Sequence, residues 1–184
     1  TEQMVKYLPD LLKDAKGSLV LFSARSQLND VYDELPEAFA KRVLKQDDYS
    51  KQALIDKHKS AVDEGEPSVL FGLASLAEGL DLPGDYCDHV VIAKLPFAVP
   101  NEPVTETEAE WFEQQGRNYF IEVTVPDAAV KLVQSSGRLL RSESDSGIIT
   151  LLDKRVLTKR YGKSLLNSLP PYRVEVCRLA DVIR

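Results

Sequence analysis

Gln134, Arg138 and Arg141 are the side chains of this 184-residue chain best spaced to do chemistry. At about 100° per residue they fall on one line of a helix that opens at Pro126. Proline suits a first helical position, and Asp127 then lies in the first turn, where the helix dipole favours an anion. Ala129, Leu132, Val133, Leu139 and Leu140 gather on the opposite side, so packing of that side fixes where the arginines point. Gly137, one residue before the first arginine, costs about 1 kcal/mol relative to Ala in a helix interior. A missing side chain there suits a close approach of backbone or ligand. Two fixed cations and an amide on one stripe either hold an anion or form a solvated basic face. The full Gln-x-x-Gly-Arg-x-x-Arg spacing favours the anion.

A second group follows an apolar run, Ser68-Val69-Leu70-Phe71, in the stretch Gly72-Leu73-Ala74-Ser75-Leu76-Ala77-Glu78-Gly79-Leu80-Asp81-Leu82-Pro83-Gly84. Glu78 and Asp81 flank a glycine in a loop at the carboxyl end of a strand. Carboxylates there can accept from a ribose hydroxyl or orient an arginine, and glycines let the backbone come close. A surface loop with a Pro-Gly turn is the equal alternative.

The elements that must position these groups alternate in type. Ser18-Leu19-Val20-Leu21-Phe22, Val43-Leu44, Ser68-Val69-Leu70-Phe71, His89-Val90-Val91-Ile92-Ala93, Ile148-Ile149-Thr150-Leu151-Leu152 and Arg173-Val174-Glu175-Val176 read as short strands. Helical stretches fall at 27–35, ended by Pro36, at about 49–62, ended by Gly65-Glu66-Pro67, and from Pro126 onward. Short strands alternating with helices predict a doubly wound, mainly parallel α/β sheet with helices on both faces. Such a sheet binds ligands at the carboxyl ends of its strands. The segment 95–125 breaks the rhythm and reads as an excursion covering one edge; Thr105-Glu106-Thr107-Glu108 resembles a capping box that starts a short helix through Trp111 and Phe112. The whole of 1–184 is expected to form one domain, and no internal repeat is visible.

Composition excludes several function classes. Hydrophobic residues make up 43% and charged residues 28%, which is ordinary for a globular chain. No apolar run approaches the roughly 20 residues needed to span a bilayer, and no signal-peptide pattern opens the sequence. A cytoplasmic protein with no membrane partner is expected. Cys87 and Cys177 are far apart, and with His58 and His89 they complete the soft-ligand inventory. A zinc or iron–sulfur site needs about four such ligands in close spacing, so no metal site is expected here, and both cysteines are expected to be reduced and structural. His58 reads as part of a Lys-rich polar helix. The net charge of −6 argues against a nucleic-acid binder that relies on bulk electrostatics, although the stretch 138–163 is locally basic. There is no Gly-x-x-x-x-Gly-Lys-Ser/Thr loop to cradle β- and γ-phosphates and no metal-binding carboxylate pair after a strand. The arginine stripe therefore resembles half of a nucleotide site, the other half belonging to a second domain.

These residues resemble a known family. Gln134-x-x-Gly137-Arg138-x-x-Arg141 resembles helicase motif VI, Ala77-Glu78-Gly79-Leu80-Asp81-Leu82-Pro83-Gly84 resembles motif V, and Leu19-Val20-Leu21-Phe22-Ser23-Ala24-Arg25 resembles the motif IV region. Asp153-Lys154-Arg155, Thr158-Lys159-x-Tyr161-Gly162-Lys163 and Leu169-Pro170 resemble the block that follows motif VI in DinG-type helicases, which are superfamily 2 enzymes of the XPD-like group. The likeness runs from about residue 17 to 171 and identifies the chain as similar to the second RecA-like motor domain, the C-terminal helicase domain, of such a protein.

The resemblance implies an ATP-dependent, 5′-to-3′ DNA helicase of replication and repair in the bacterial cytoplasm. Its partners would be single-stranded DNA, or a duplex with a 5′ tail, and the first RecA-like domain of the same polypeptide. ATP and Mg would be shared with that first domain, and any four-cysteine iron–sulfur cluster would lie there and not in this chain. Arg141 would be the arginine finger, Arg138 its companion, and Gln134 their support. Glu78, Gly79 and Asp81 would couple nucleotide state to the DNA groove. Ser23, Arg25 and backbone groups near Gly72 and Ser75 would hold DNA phosphates, with Lys154 and Arg155 either joining them or forming a solvated helix start. Trp111, Phe112, Tyr119 and Phe120 would stack on bases or, the favoured reading, pack in the core. Two rival classes stay open: a complete small enzyme, for which no catalytic constellation is found, and a non-catalytic protein-interaction domain of α/β fold whose arginines pair with a partner's carboxylates.

Overall fold

The computed structural model describes residues 1–97, 103–137 and 146–182. In chain order the elements are α1 (Glu2–Leu11), β1 (Gly17–Phe22), α2 (Arg25–Asp33), α3 (Glu37–Ala40), β2 (Val43–Lys45), α4 (Lys51–Asp63), β3 (Ser68–Leu73), α5 (Ala74–Ala77), β4 (His89–Ile92), α6 (Pro103–Gln114), α7 (Val125–Ser136), β5 (Ile148–Leu151), α8 (Arg155–Thr158), α9 (Arg160–Ser168) and α10 (Leu179–Val182).

The strands form one sheet in the order β2-β3-β1-β4-β5, and every pairing is parallel. Each interior strand is apolar at successive positions because both faces of the sheet are covered. On β1, Leu19 and Leu21 join Leu70, Val90 and Ile92 on one face, against Leu54 of α4, Ala128 and Leu132 of α7 and Leu165 of α9. Val20 and Phe22 join Val69, Phe71 and Val91 on the other, against Met4 and Leu8 of α1, Leu28 and Val31 of α2 and Phe39 of α3. The rings of Phe22 and Phe71 lie 5.0 Å apart at 58°. A fully buried Leu or Phe contributes about 1.5–3 kcal/mol relative to exposure, so these two layers fix which loops meet at the carboxyl edge. From β1 the chain goes to β2 and β3 on one side, then returns to β4 and β5 on the other. The topological switch point therefore lies between β1 and β4, where such sheets bind ligands.

The doubly wound α/β expectation holds, and α7 opens one residue before Pro126 with Asp127 in its first turn. Ser50 caps α4, its hydroxyl accepting from the Ala53 N–H at 3.3 Å.

Two expectations need correction. The helix of the excursion starts at Pro103 and not at Thr105, because proline occupies the first helical position as well as a capping threonine could. The segment 173–176 forms no strand: Val174 and Val176 are 61% and 67% exposed, and Arg173 pairs with Glu175 at 2.7 Å. Alternation marks a strand only where one face meets a core, and neither face of this segment does. His58 lies in the Lys-rich helix α4 as expected, and within it faces inward. It is fully buried under β3, where its Nε2 donates to the Tyr86 carbonyl at 2.6 Å and its Nδ1 accepts from the Ser68 hydroxyl at 2.8 Å. Burial pushes its pKa down, outweighing the Tyr86 bond. The sequence reading leaves α1, α3, α5, α9 and α10 unmarked.

Candidate functional site

Phe22 ends β1 before Ser23, Leu73 ends β3 before Ala74 and Ser75, and Ile92 ends β4 two residues before Lys94. All of them line one cavity of about 380 Å³ at the carboxyl edge, closed by Pro96, Phe97 and Thr105 of the excursion and by Lys131 and Ser135 of α7. Ligand pockets typically start at about 300 Å³. Two lysines and several hydroxyls on an apolar floor can hold a phosphate-like anion. Of the predicted residues, Ser23 and Ser75 belong to this cavity. Lys94, Thr105, Lys131 and Ser135 are additions, although Lys131 lies three residues before Gln134 on the same helical stripe.

Next to it, Glu78 and Gln134 line a second crevice of about 10 Å³ with Ala74, Ala77, Lys131 and Ser135. Both residues are exposed, so the crevice between the two segments opens at the surface. Gly79 has φ +70°, a left-handed backbone that other residues adopt at a cost of about 1–2 kcal/mol. The Lys51 ammonium donates to the Glu78 carbonyl. Asp81 is exposed.

Gly72 sits inside β3, opposite Leu21. A Cβ there would lie 2.2 Å from Leu76 Cδ2, so the missing side chain admits α5 against the sheet. The next amide, Leu73 N–H, donates to Gln46 Oε1 at 2.8 Å. Arg25 is exposed and pairs with Asp47 at 3.3 Å.

Arg155 is largely committed within the fold. Its guanidinium lies 2.5 Å from Asp153 Oδ2 and 5.2 Å from the Phe97 ring centre. Asp153 is buried and also accepts from the Leu95 N–H at 2.9 Å and the Arg155 N–H at 3.0 Å. Burial alone would raise the Asp153 pKa, but these bonds together hold it below the ordinary carboxylate value. Lys154 is exposed.

The aromatic residues divide. Phe120 packs on Phe97 and Tyr161, at 5.4 and 5.3 Å. Phe112 lies edge-on to Tyr119 at 5.3 Å, and Trp111, edge-on to Phe112, is 52% exposed.

On α7, Val125, Ala128, Leu132, Ser135 and Ser136 form the buried stripe and Gln134 faces out. Gly137 ends the helix at φ −66°, and among the described residues the nearest atom to an added Cβ would be the Val133 carbonyl at 3.4 Å. Nothing described there requires glycine for packing. Arg138 and Arg141 lie outside the described residues.

Among the described residues, no group of three or more His, Cys, Asp or Glu could hold a metal ion, and no helix is long and apolar enough to cross a membrane. Cys87 is buried and Cys177 exposed, so only the first fits a structural role; neither is in a disulfide.

The model of the helicase C-terminal domain family matches residues 8–172. The ATP-dependent DNA helicase DinG of Photobacterium profundum is 47% identical over 176 residues, 94% of this chain and 25% of that protein. The DinG helicase of Escherichia coli is 40% identical over 159 residues, 86% of this chain and 22% of that protein. The chain thus spans about a quarter of the length of the curated relatives it matches. Among solved structures, an XPD helicase superposes with a TM-score of 0.61 at 24% identity, covering 91% of this chain and 31% of its own. Xpd4 of S. tokodaii superposes at 0.62 with 16% identity, covering 94% and 34%. The fold is that of the XPD-like, RecA-type helicase domains.

Proposed function

This chain belongs to the helicase C-terminal domain family, and from that premise we propose that residues 1–184 act as the second motor domain of an ATP-dependent 5′-to-3′ DNA helicase of repair or replication. ATP, arriving with Mg, is the substrate, held between this domain and the first RecA-like domain of the same polypeptide. Any iron–sulfur cluster belongs to that other part.

The observation that carries the reading is the placement of Glu78 and Gln134 along one crevice at the carboxyl edge of the sheet. It supports a composite edge in which Gln134, Arg138 and Arg141 face the nucleotide, while Glu78, Gly79 and Asp81 report its state to the neighbouring cavity. Phosphoryl transfer spreads negative charge over the transferred group, and a fixed guanidinium delivered from a second domain stabilises that charge, accelerating the step about 10³–10⁵-fold. Hydrolysis then requires the two domains to close. The larger cavity, with Ser23, Ser75, Lys94 and Lys131 on its walls, suits the phosphates of a single strand, and the exposed Arg25 and Lys154 are further cations for the same backbone. Gly72 and Arg155 support that groove from within the fold, and Trp111 is exposed enough to stack on a base.

Substituting Arg141→Ala in the intact protein tests this reading. DNA-stimulated ATP hydrolysis should fall about 10³-fold with the thermal midpoint unchanged, and the isolated chain should hydrolyse no ATP. Near-normal hydrolysis by Arg141→Ala removes that residue from the finger role. Robust turnover by the isolated chain overturns the shared site altogether.

A further inference from the structure

The connection from β2 to α4, residues 46–51, touches three of the proposed functional positions at once. The Gln46 side chain accepts from Leu73 N–H at 2.8 Å, directly after Gly72. The Asp47 carboxylate meets the Arg25 guanidinium at 3.3 Å. Lys51, the first residue of α4, donates to the Glu78 carbonyl and lies 3.6 Å from where a Gly79 Cβ would stand. The segment itself is fixed from below, because Gln46 N–H donates to the Phe71 carbonyl at 2.8 Å. Asp47 has φ 79° and is the sole non-glycine residue with positive φ among those described. A residue held in that region costs of order 1 kcal/mol or more and persists only where its surroundings over-determine it.

Local folding does not require this arrangement. An exposed ion pair and an exposed lysine contribute little to stability, yet here they converge from one loop on residues of the motif IV and motif V stretches. We infer that the 46–51 segment is the positioning element that couples the DNA-facing and nucleotide-facing residues of this domain, with Gln46, Asp47 and Lys51 as positioning residues. The inference rests on the motor-domain reading above. Lys51 holds the main chain at Glu78, where nucleotide state is read, and Asp47 holds Arg25 beside the strand. A shift of Glu78 therefore bears on the same loop that contacts Arg25 and Leu73.

The test uses the full-length protein. DNA stimulation is measured as the ratio of ATP hydrolysis with and without saturating single-stranded DNA, alongside thermal midpoints, for the parent, Lys51→Met, Lys51→Arg and Gln46→Leu. Coupling between sites commonly amounts to 5–150-fold. Lys51→Met should lower the stimulation ratio at least about fivefold with its midpoint unchanged, and Lys51→Arg, which keeps a donor, should restore most of it. A ratio in Lys51→Met equal to that of the parent overturns the inference. So does a loss that simply tracks the thermal midpoint across the three variants, which is how a merely structural link behaves. A parent that shows no DNA-stimulated hydrolysis overturns the motor-domain reading itself, and the inference falls with it.

Discussion

Asp153 Oδ2 accepts the main-chain N–H of Leu95 at 2.9 Å, across 58 residues of sequence. This bond joins the exit of β5 to the exit of β4. It also anchors a small aromatic assembly: Arg155 sits over Phe97, and Phe97 meets Tyr161 edge-on at 5.5 Å. Pro96 and Phe97 form a wall of the larger cavity, so one buried carboxylate sets the position of that wall.

Replacing it with alanine leaves the Leu95 N–H without its partner. An unsatisfied buried donor costs about 1–3 kcal/mol, and Asp153→Ala should lower unfolding stability by about 2 kcal/mol, read from urea midpoints. The folded pKa is depressed below the usual 3.8, so the carboxylate's contribution is present above pH 3.8 and is lost as pH falls below it toward the folded value. A variant as stable as the parent at neutral pH would show that the Leu95 bond holds nothing.

The two buried histidines make stability depend on pH in a higher window. His89 pairs with the Thr150 hydroxyl at 2.8 Å, and burial lowers its pKa from 6.5 to about 4. The folded protein thus binds fewer protons than the unfolded chain between those values. His89 lets the full stability stand above pH 6.5, and stability declines by roughly 3 kcal/mol as pH falls to about 4. His58 works in the same direction. Urea midpoints at pH 7.5, 5.5 and 4.5 should fall in that order, and His89→Gln should flatten the slope. An equal slope in His89→Gln would assign the pH dependence elsewhere.

Two glycines give opposite expectations. Gly72→Ala places a Cβ 2.2 Å from Leu76, and overpacking of this kind destabilises by about 1–3 kcal/mol. Gly137→Ala meets no atom of the described residues nearer than 3.4 Å at a helical φ, so by restricting the unfolded chain it should stabilise the domain by up to about 1 kcal/mol. In the intact protein the same Gly137→Ala change should cut DNA-stimulated hydrolysis at least about tenfold, if the bare surface there serves a nucleotide or a partner domain. Unimpaired hydrolysis would leave Gly137 as a helix end and nothing more.

Several features follow from local sequence alone. The strands at Leu19-Val20-Leu21, Val69-Leu70-Phe71 and Val90-Val91-Ile92 are legible because burial on both faces demands an unbroken apolar run. Pro126 and Asp127 mark the start of α7, and the outward face of Gln134 follows from helical spacing. The Arg173-Val174-Glu175-Val176 pattern misleads for the same reason that it attracts notice: alternation is a local property, and a strand needs a neighbour.

What no local window contains is the strand order. Because β3 and β4 both pair with β1, Ser23, Ser75 and Lys94 meet at one cavity, and Glu78 lies beside Gln134. Because β2 pairs with β3, the 46–51 loop reaches Leu73, Arg25 and Glu78. Burial of His58 and the Asp153–Leu95 bond depend on the same crossings. Sequence determined which residues are chemically equipped for the proposed roles, since charge, reach and backbone freedom belong to residue types. Only the tertiary structure decided which of them act on one another, since contacts across tens of residues are set by how the sheet is wound.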